Sequence, residues 1–248
     1  MNGKFLRSIH AVILEGPAGC GKTFLSEKVA GELGLQYLYY QAHAWSTAED
    51  LVEGLDVPSI VLQQGENVRK MGKLVEAALL SQQGGVLLCL DEWDKGSPKL
   101  DALLLDFLQS GRIFYGGREL RANLSLLYCY VITNKERELA DPLKSRCYHL
   151  EMGAPKEADI QVYLEMLGCS RAMGKNLQMV VRNSCVAGYV PSYRDFKKVW
   201  DLIQCQVETL DEVVEILRLS LGRKFHLSSF TSQWGNIKSE LKLKGGKR

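Results

Sequence analysis

The sequence has 248 residues, 46% of them hydrophobic, which is enough for one large domain or for a core domain plus a small one. Its formal net charge of +2 is too small to argue for nucleic-acid binding. No apolar run approaches the roughly 20 residues of a membrane span, and the apolar stretch near the start is too short for a signal peptide.

The seven cysteines form an odd count without a C-x-x-C pair. We therefore expect reduced thiols and a cytoplasmic protein. Most are expected to be small buried hydrophobic residues. The segments that carry them are predicted strands, for Cys89, Cys129 and Cys147, and predicted helices, for Cys185 and Cys205.

A predicted strand, "HAVILEG" at 10–16, runs into "GPAGCGKT" at 16–23. The spacing of Gly16, Gly21, Lys22 and Thr23 fits the P-loop template, in which glycines let backbone amides surround a phosphate chain. The predicted helix 22–33 adds the positive end of its dipole. In this template Lys22 reaches the β- and γ-phosphates, and the Thr23 hydroxyl binds Mg²⁺. A chance glycine-rich turn is the alternative. The predicted nucleotide-binding residues are Gly16, Pro17, Ala18, Gly19, Cys20, Gly21, Lys22, Thr23 and Phe24.

Two further strands, "QYLYY" at 36–40 and "GVLLCL" at 85–90, flank a helix predicted over 68–82. The second of them ends in Asp91 and Glu92. Asp91 is positioned to orient Mg²⁺ through its water shell, and Glu92 is a candidate general base for the attacking water. Acids at a strand end are a weak signal alone, because strands usually end in polar turns. They gain weight from the P-loop upstream.

The next helix is predicted over 98–110, with Ser97 as its N-cap and Gly111 after its end. "RIFYGGREL" at 112–120 then has a hairpin signal, because two β-prone arms flank Gly116-Gly117. Its aromatics, Phe114 and Tyr115, are expected at an exposed tip, as is Trp45 in another predicted connection. The alternative is that they fold back onto the core.

The strand "LSLLYCYVI" at 124–132 ends in Thr133 and Asn134. Asn134 could hold the attacking water by a hydrogen bond, or it could simply form the turn. A short helix is predicted over 138–145, followed by Arg146 at the opening of the strand "CYHLEM", 147–152. One interpretation of Arg146 is a local ion pair with Glu138 or Asp141.

After "GAPKEAD" the strands stop, and helices are predicted over 156–168, 173–187, 191–204 and 208–221. Arg194 lies in the first turn of the third, where a cation opposes the helix dipole. That position suggests an external anion, although Asp195 could offset the cost. The basic end "KSELKLKGGKR" could touch phosphate or an acidic partner, or be a solvated tail.

The alternation of strands and helices predicts an α/β fold with a parallel five-stranded sheet, followed by a small all-helical lid. The predicted division is an α/β nucleotide-binding subdomain over 1–153, a lid over 154–222 and a C-terminal extension over 223–248.

These elements resemble, in order, the functional elements of AAA+ ATPases. The matching segments are Gly16–Thr23 (Walker A), Leu87–Glu92 (Walker B), Thr133-Asn134 (sensor 1), Ser145-Arg146 (arginine finger) and Ser192-Tyr193-Arg194 (sensor 2). The stretches "STAEDLVEGLD" and "LLCLDEWDKGSPKLDALLLDFLQSGRIFYGG" look most like the MoxR and dynein-related branch, while "SRC" around Arg146 also resembles clamp-loader subunits. The resemblance covers roughly residues 8–221.

The resemblance implies a sheet with strand order 5-1-4-3-2, a helical lid, and a ring, usually a hexamer, with ATP between subunits. Arg146 would then act in trans on the γ-phosphate of a neighbouring subunit, and Arg194 would act in cis from the lid.

The leading interpretation is therefore a Mg²⁺-dependent ATPase that works as a ring and remodels or activates a partner protein. One alternative is a nucleic-acid-associated ATPase of the clamp-loader or helicase-loader type, against which the small net charge weighs. A more remote alternative is a P-loop small-molecule kinase, but the later arginines fit sensor and finger positions better than an arginine-rich kinase lid.

Overall fold

A computed structural model describes residues 10–55, 69–204 and 210–225. The chain divides into two compact units. The first extends to Met152, and the second contains the chain from Gly153 together with Ala18–Cys20. No helix in the described ranges is long and apolar enough to cross a bilayer.

The strands of the first unit are, in chain order, β1 (Ala11–Glu15), β2 (Gln36–Gln41), β3 (Glu53–Leu55), β4 (Arg69–Met71), β5 (Val86–Asp91), β6 (Arg112–Tyr115), β7 (Arg118–Arg121), β8 (Leu127–Thr133) and β9 (Tyr148–Glu151). Its helices are α1 (Lys22–Leu33), α2 (Ala48–Leu51), α3 (Lys73–Ser81), α4 (Pro98–Ser110) and α5 (Asp141–Arg146). A 3₁₀ turn follows β5 at Trp93–Lys95.

Five of these strands form one sheet in the order β2-β5-β8-β1-β9, and each pair of neighbours is parallel. Counted along the chain, this is the predicted order 5-1-4-3-2, which is confirmed. The central strands β5 and β8 are buried along their whole length, as expected for a parallel sheet with both faces covered.

Successive side chains of the central strands pack alternately into two separate apolar clusters. Leu88, Leu90 and Val131 belong to the cluster that includes residues of α3 and α4, whereas Leu87 and Ile132 belong to the one that includes residues of α1. Successive strand residues point to opposite faces, so the sheet is covered by helices on both sides. The α/β fold predicted from the alternation is confirmed.

The helix predicted over 68–82 is wrong at its start. Residues Arg69–Met71 form β4, which pairs antiparallel with β3, and α3 begins only at Lys73. Gly72 separates the two elements, and a Cβ there would lie 2.1 Å from the carbonyl carbon of Leu51. This backbone approach joins segments distant in the sequence, so it left no signal in the helical periodicity. Val68, also assigned to that helix, lies outside the described residues.

The hairpin is confirmed, with β6 and β7 antiparallel around Gly116 and Gly117. The short helix predicted over 138–145 is shifted, because α5 runs from Asp141 to Arg146, with Pro142 in its first turn. Arg146 therefore ends a helix rather than opening a strand. Proline favours the first turn of a helix, where its missing amide hydrogen is not needed.

The second unit contains the helices α6 (Glu157–Met166), α7 (Arg171–Asn183), α8 (Tyr193–Ile203) and α9 (Leu210–Leu221). They share a core of buried apolar side chains, among them Leu164, Leu177, Phe196, Trp200 and Val213. The predicted helical segments are confirmed to within a few residues where they are described. The predicted start of the last helix at 208 and the basic tail lie outside the described residues.

The described cysteines form no disulfide with one another. Five of them are buried and Cys185 is half-buried. Two lie just outside the elements predicted for them. Cys147 precedes β9, and Cys185 follows α7, where its backbone forms an isolated antiparallel β-bridge with Phe225. Burial raises the pKa of Cys89, Cys147 and Cys185 to about 11, so these thiols stay protonated at neutral pH. Cys205 lies outside the described residues.

Candidate functional site

The loop between β1 and α1 carries the phosphate-binding motif. Gly19 and Gly21 have φ values of +77° and +97°, which L-residues with a side chain rarely adopt. Lys22 opens α1 and is only 5% exposed. Its Nζ donates to the carbonyl oxygens of Gly16 at 2.7 Å and Pro17 at 2.9 Å. The loop thus closes around one buried cation, which here donates to two neutral carbonyl oxygens of the loop.

The two predicted magnesium residues meet directly. The Thr23 hydroxyl in the first turn of α1 donates to Asp91 Oδ2 at 2.6 Å, across 68 residues of sequence. Asp91 ends β5 and is 8% exposed, and Tyr39 Oη also donates to its Oδ2, at 3.2 Å. Burial, then the Asp91 charge, raises the pKa of Tyr39, so the phenol stays a hydrogen-bond donor. A hydroxyl and a carboxylate in contact form a donor set that suits Mg²⁺.

Glu92 is the first residue after β5 and has a left-handed backbone, with φ of 52°. Such a conformation costs free energy in a residue with a side chain, and it is typical of functional turns. Gln41 Nε2 donates to the Glu92 carboxylate oxygen Oε2 at 2.7 Å, and Lys95 Nζ donates to the same oxygen at 2.9 Å. The hydrogen bond to Glu92 raises the pKa of Lys95.

Asn134 follows β8, which lies between the strands that lead to the P-loop and to Asp91. Its Oδ1 accepts a hydrogen bond of 2.8 Å from Lys22 Nζ. The sequence left open whether Asn134 is a functional side chain or a turn former. The contact places it beside the P-loop cation.

Lys22, Thr23, Asp91, Glu92 and Asn134 therefore converge at one edge of the sheet. All five residues lie at or just after the carboxyl ends of parallel strands, where open α/β sheets bind ligands.

Three polar residues of this edge were missed by sequence reasoning. Gln41 ends β2, Lys95 lies in the turn after Glu92, and Asp94 accepts two backbone amides of the loop after β8. The only signal for Gln41 was its place at the end of an apolar strand. Asp94 and Lys95 follow closely on Asp91 and Glu92 within "DEWDK", and no separate pattern distinguishes them from an ordinary polar turn.

Arg146 is not brought to this edge. It precedes β9 and its Nη2 donates to the carbonyl oxygen of Leu108 at 3.2 Å. Tyr148 of β9 pairs with Val12 near the start of β1, whereas the P-loop follows the end of β1. Four residues of strand, about 13 Å, separate these two levels. Arg146 lines a groove of about 440 Å³ with His10 and Tyr148.

The local alternative for Arg146 is contradicted, because another residue makes those contacts. Lys144 Nζ binds Glu138 at 3.0 Å and Asp141 at 2.9 Å. Within the described part of the chain, Arg146 has no ion pair with either acid.

Arg194 lies in the first turn of α8, inside the second unit. Its neighbour Asp195 closes a capping box with Ser192 and accepts further hydrogen bonds from Tyr189 and Lys224. Burial alone would raise the pKa of Asp195, but the bonds from Tyr189 and Ser192 and the Lys224 charge lower it overall. Asp195 is thus engaged by other partners and makes no ion pair with Arg194 among the described residues.

The comparison with family models shows which family the first unit resembles. The family described as AAA domain (dynein-related subfamily) matches residues 11–147, which contain β1 to α5 and every candidate residue except Arg194.

A solved structure of a mutant of RuvB from Thermotoga maritima is similar in fold, with a TM-score of 0.53 and 15% sequence identity. The similarity covers 88% of this chain, which spans 66% of the length of that RuvB chain. At this identity the likeness concerns the fold alone, and it extends beyond the family match into the helical unit.

Proposed function

Because the chain belongs to the family of AAA domains of the dynein-related subfamily, we propose that it is a Mg²⁺-dependent ATPase that works as a ring and remodels a partner protein. One observation carries the enzymatic part: Lys22 Nζ lies 2.8 Å from Asn134 Oδ1, and Thr23 Oγ1 lies 2.6 Å from Asp91 Oδ2. A buried cation, a hydroxyl–carboxylate pair and a polar side chain at one strand edge are the groups that nucleotide hydrolysis requires.

The residues present fit ATP and Mg²⁺. The loop from Gly16 to Thr23 with Phe24 would hold the nucleotide, and Lys22 would exchange its bonds to two carbonyl oxygens for bonds to phosphate oxygens. Thr23 and Asp91 would hold Mg²⁺, which neutralises charge that develops on the phosphates. Glu92 would accept a proton from the attacking water, and Asn134 would orient that water.

Glu92 is held in the present arrangement by Gln41 at the end of β2 and by Lys95 in the turn after β5. Both donors bind Oε2 and lower its basicity, so proton transfer to that oxygen would require one of them to leave. Arg194 would contribute from the helical lid, in cis, by neutralising phosphate charge.

Ring assembly is proposed from the position of Arg146. An arginine at the opposite end of β1 from its own P-loop cannot serve that loop, but a groove beside it leaves room for a neighbouring subunit. An arginine delivered in trans would make hydrolysis depend on assembly. We propose a hexamer, and a partner protein of the kind served by MoxR-like ATPases.

A second candidate is a nucleic-acid-associated ATPase, and the outward face of the β6–β7 hairpin favours it. Phe114 is 62% exposed there, and Arg112 and Arg121, which share an ion pair with Glu119, lie beside it. Aromatic and arginine side chains bind single strands by stacking and charge. ATP turnover that rises with DNA and not with protein partners would favour this candidate. The kinase alternative is dropped, because the chain belongs to an AAA family.

The test of the enzymatic proposal is ATP binding by calorimetry and phosphate release with Mg²⁺. Lys22→Ala should abolish detectable ATP binding, because it removes the fixed cation. Lys28→Ala, an exposed lysine on the same helix, is the matched control and should bind like wild type. Equal affinity of Lys22→Ala and wild type would refute the P-loop assignment. Turnover that is unchanged when Mg²⁺ is chelated would refute the magnesium requirement.

A further inference from the structure

The turn after Glu92 carries a second acid, Asp94, which is only 4% exposed. Its Oδ2 accepts two backbone amides from another segment: that of Asn134 at 3.0 Å and that of Glu136 at 2.8 Å. The two segments are 40 residues apart in sequence. Asp94 therefore ties the turn after β5 to the loop after β8.

The loop that Asp94 binds is strained and needs such a tie. Lys135 has a left-handed backbone, with φ of 66°, although it is not glycine. Its amide is bound by Thr133 Oγ1 at 2.9 Å, so three consecutive amides, from 134 to 136, all donate to side-chain oxygens. A conformation that costs free energy persists only where its surroundings fix it. Asp94 Oδ2 accepts two of those three amides.

The loop that Asp94 binds carries Asn134, and its conformation places the Asn134 side chain beside Lys22. The turn that carries Asp94 also carries Glu92, since Lys95 N donates to Glu92 O at 2.9 Å. One carboxylate thus connects the candidate base to the candidate water-holding amide. A displacement of about 1 Å between two such groups can cost on the order of a hundredfold in rate.

We propose that Asp94 is a positioning residue for ATP hydrolysis, acting through the Asn134 backbone to set the distance between the Asn134 side chain, Lys22 and Glu92. The inference rests on the proposed ATPase function. The second carboxylate oxygen, Oδ1, is buried and has no hydrogen-bond partner among the described residues. A buried oxygen without a hydrogen-bond partner costs free energy. A functional role of the other oxygen, Oδ2, would explain why an acid with this cost occupies the position.

The geometry makes the two simplest substitutions differ. Asp94→Asn keeps one oxygen to accept both amides and replaces only the unpartnered Oδ1, so it should keep kcat within about threefold of wild type. Asp94→Ala removes the acceptor, and kcat should fall by about ten- to a hundredfold, while Kd for ATP stays within about threefold because Lys22 and the P-loop are intact.

Ser81→Ala is the matched control for the loss of a buried acceptor. Ser81 is fully buried and its Oγ accepts the backbone amide of Asn123 at 2.8 Å, away from the residues of the candidate site. It should lower the melting temperature without changing kcat. If Asp94→Ala fails to fold, Asp94→Ser, which is too short to reach both amides, replaces it with the same expectation.

A double-mutant cycle with Asn134→Ala decides whether Asp94 acts through Asn134. In that background Asp94→Ala should cost less than about twofold further in kcat, because the group it positions is already gone. Additive losses overturn the proposal, as does wild-type kcat in Asp94→Ala, or an Asp94→Asn variant as slow as Asp94→Ala. Absence of ATP turnover in the wild type would instead overturn the proposed function itself, which separates the two failures.

Discussion

The side-chain amide of Gln41 donates to the carboxylate of Glu92 across 51 residues of sequence, with 2.7 Å between Nε2 and Oε2. Gln41 ends β2, which lies on the side of β5 away from β8 and β1. The bond therefore ties Glu92 to the end of β2, and it restrains the group that we propose as the base.

Removing this restraint should raise basal turnover. In Gln41→Ala the Glu92 carboxylate loses this donor and keeps its ion pair with Lys95, so it reaches the attacking water at lower cost. A hydrogen bond to a charged group contributes about 1.5–3 kcal/mol, and a part of that corresponds to roughly a three- to tenfold increase in kcat. Phosphate release at saturating ATP measures it. Gln36→Ala, an exposed residue at the other end of β2, is the control. A lower kcat in Gln41→Ala would show that the bond assists hydrolysis.

The proposed base is tested by Glu92→Gln. The amide keeps the shape and the contacts with its neighbours but cannot accept a proton, so ATP should bind with near-normal Kd while kcat falls by about 10²–10⁴-fold. Calorimetry and phosphate release give the two values. Gel filtration with ATP should show the assembled ring trapped by the variant. Turnover equal to wild type would exclude Glu92 as the base.

The aromatic side chains of the first unit separate into two kinds. Trp45 is 84% exposed and Phe114 62% exposed, whereas Tyr115 packs against the apolar core, so the expectation that Tyr115 shares the exposed tip is wrong. Alternation along β6 explains the difference, because successive residues point to opposite faces. We predict that Trp45→Ala and Phe114→Ala leave basal ATPase unchanged but abolish partner-stimulated turnover. Tyr115→Ala should instead lower the melting temperature. Equal loss of basal and stimulated turnover in Phe114→Ala would contradict a docking role.

Arg146 should act across a subunit boundary. An Arg146→Ala subunit keeps its P-loop, and a Lys22→Ala subunit keeps its arginine, so mixing the two should restore turnover at junctions where both intact halves meet. The gain of an arginine finger is on the order of 10³–10⁵ in rate. Activity per subunit should also rise steeply with protein concentration. Absence of recovery in mixtures shown by gel filtration to co-assemble would rule out a trans role.

The buried pair Arg137–Asp101 should dominate the stability of the first unit. Asp101 is fully buried and accepts from both Arg137 terminal nitrogens, at 2.8 and 3.0 Å, and from Trp93 Nε1 and the Ala140 amide. Arg137→Ala leaves that carboxylate without its counter-ion and should cost about 3–5 kcal/mol in the free energy of unfolding. Arg121→Ala, which breaks an exposed pair with Glu119, should cost less than about 1 kcal/mol. Urea denaturation compares the two, and similar losses would contradict this assignment.

The sequence by itself determined the features that lie within one short segment. The P-loop, the N-terminus of α4 after Ser97 and the Gly116-Gly117 hairpin each depend on residues a few positions apart, whose backbone preferences act locally. The five-strand α/β fold followed from alternation, and its strand order from family resemblance, since each strand carries its own apolar pattern.

Only the tertiary structure decided which distant side chains meet. The bonds of Gln41 to Glu92 and of Asp94 to the Asn134 amide join strand ends that become neighbours through the sheet order, and no local preference encodes them. The same is true of β4, which looked like the start of a helix until its pairing with β3 was known. A pairing between segments stabilises both at once, so its free energy is absent from the pattern of either one.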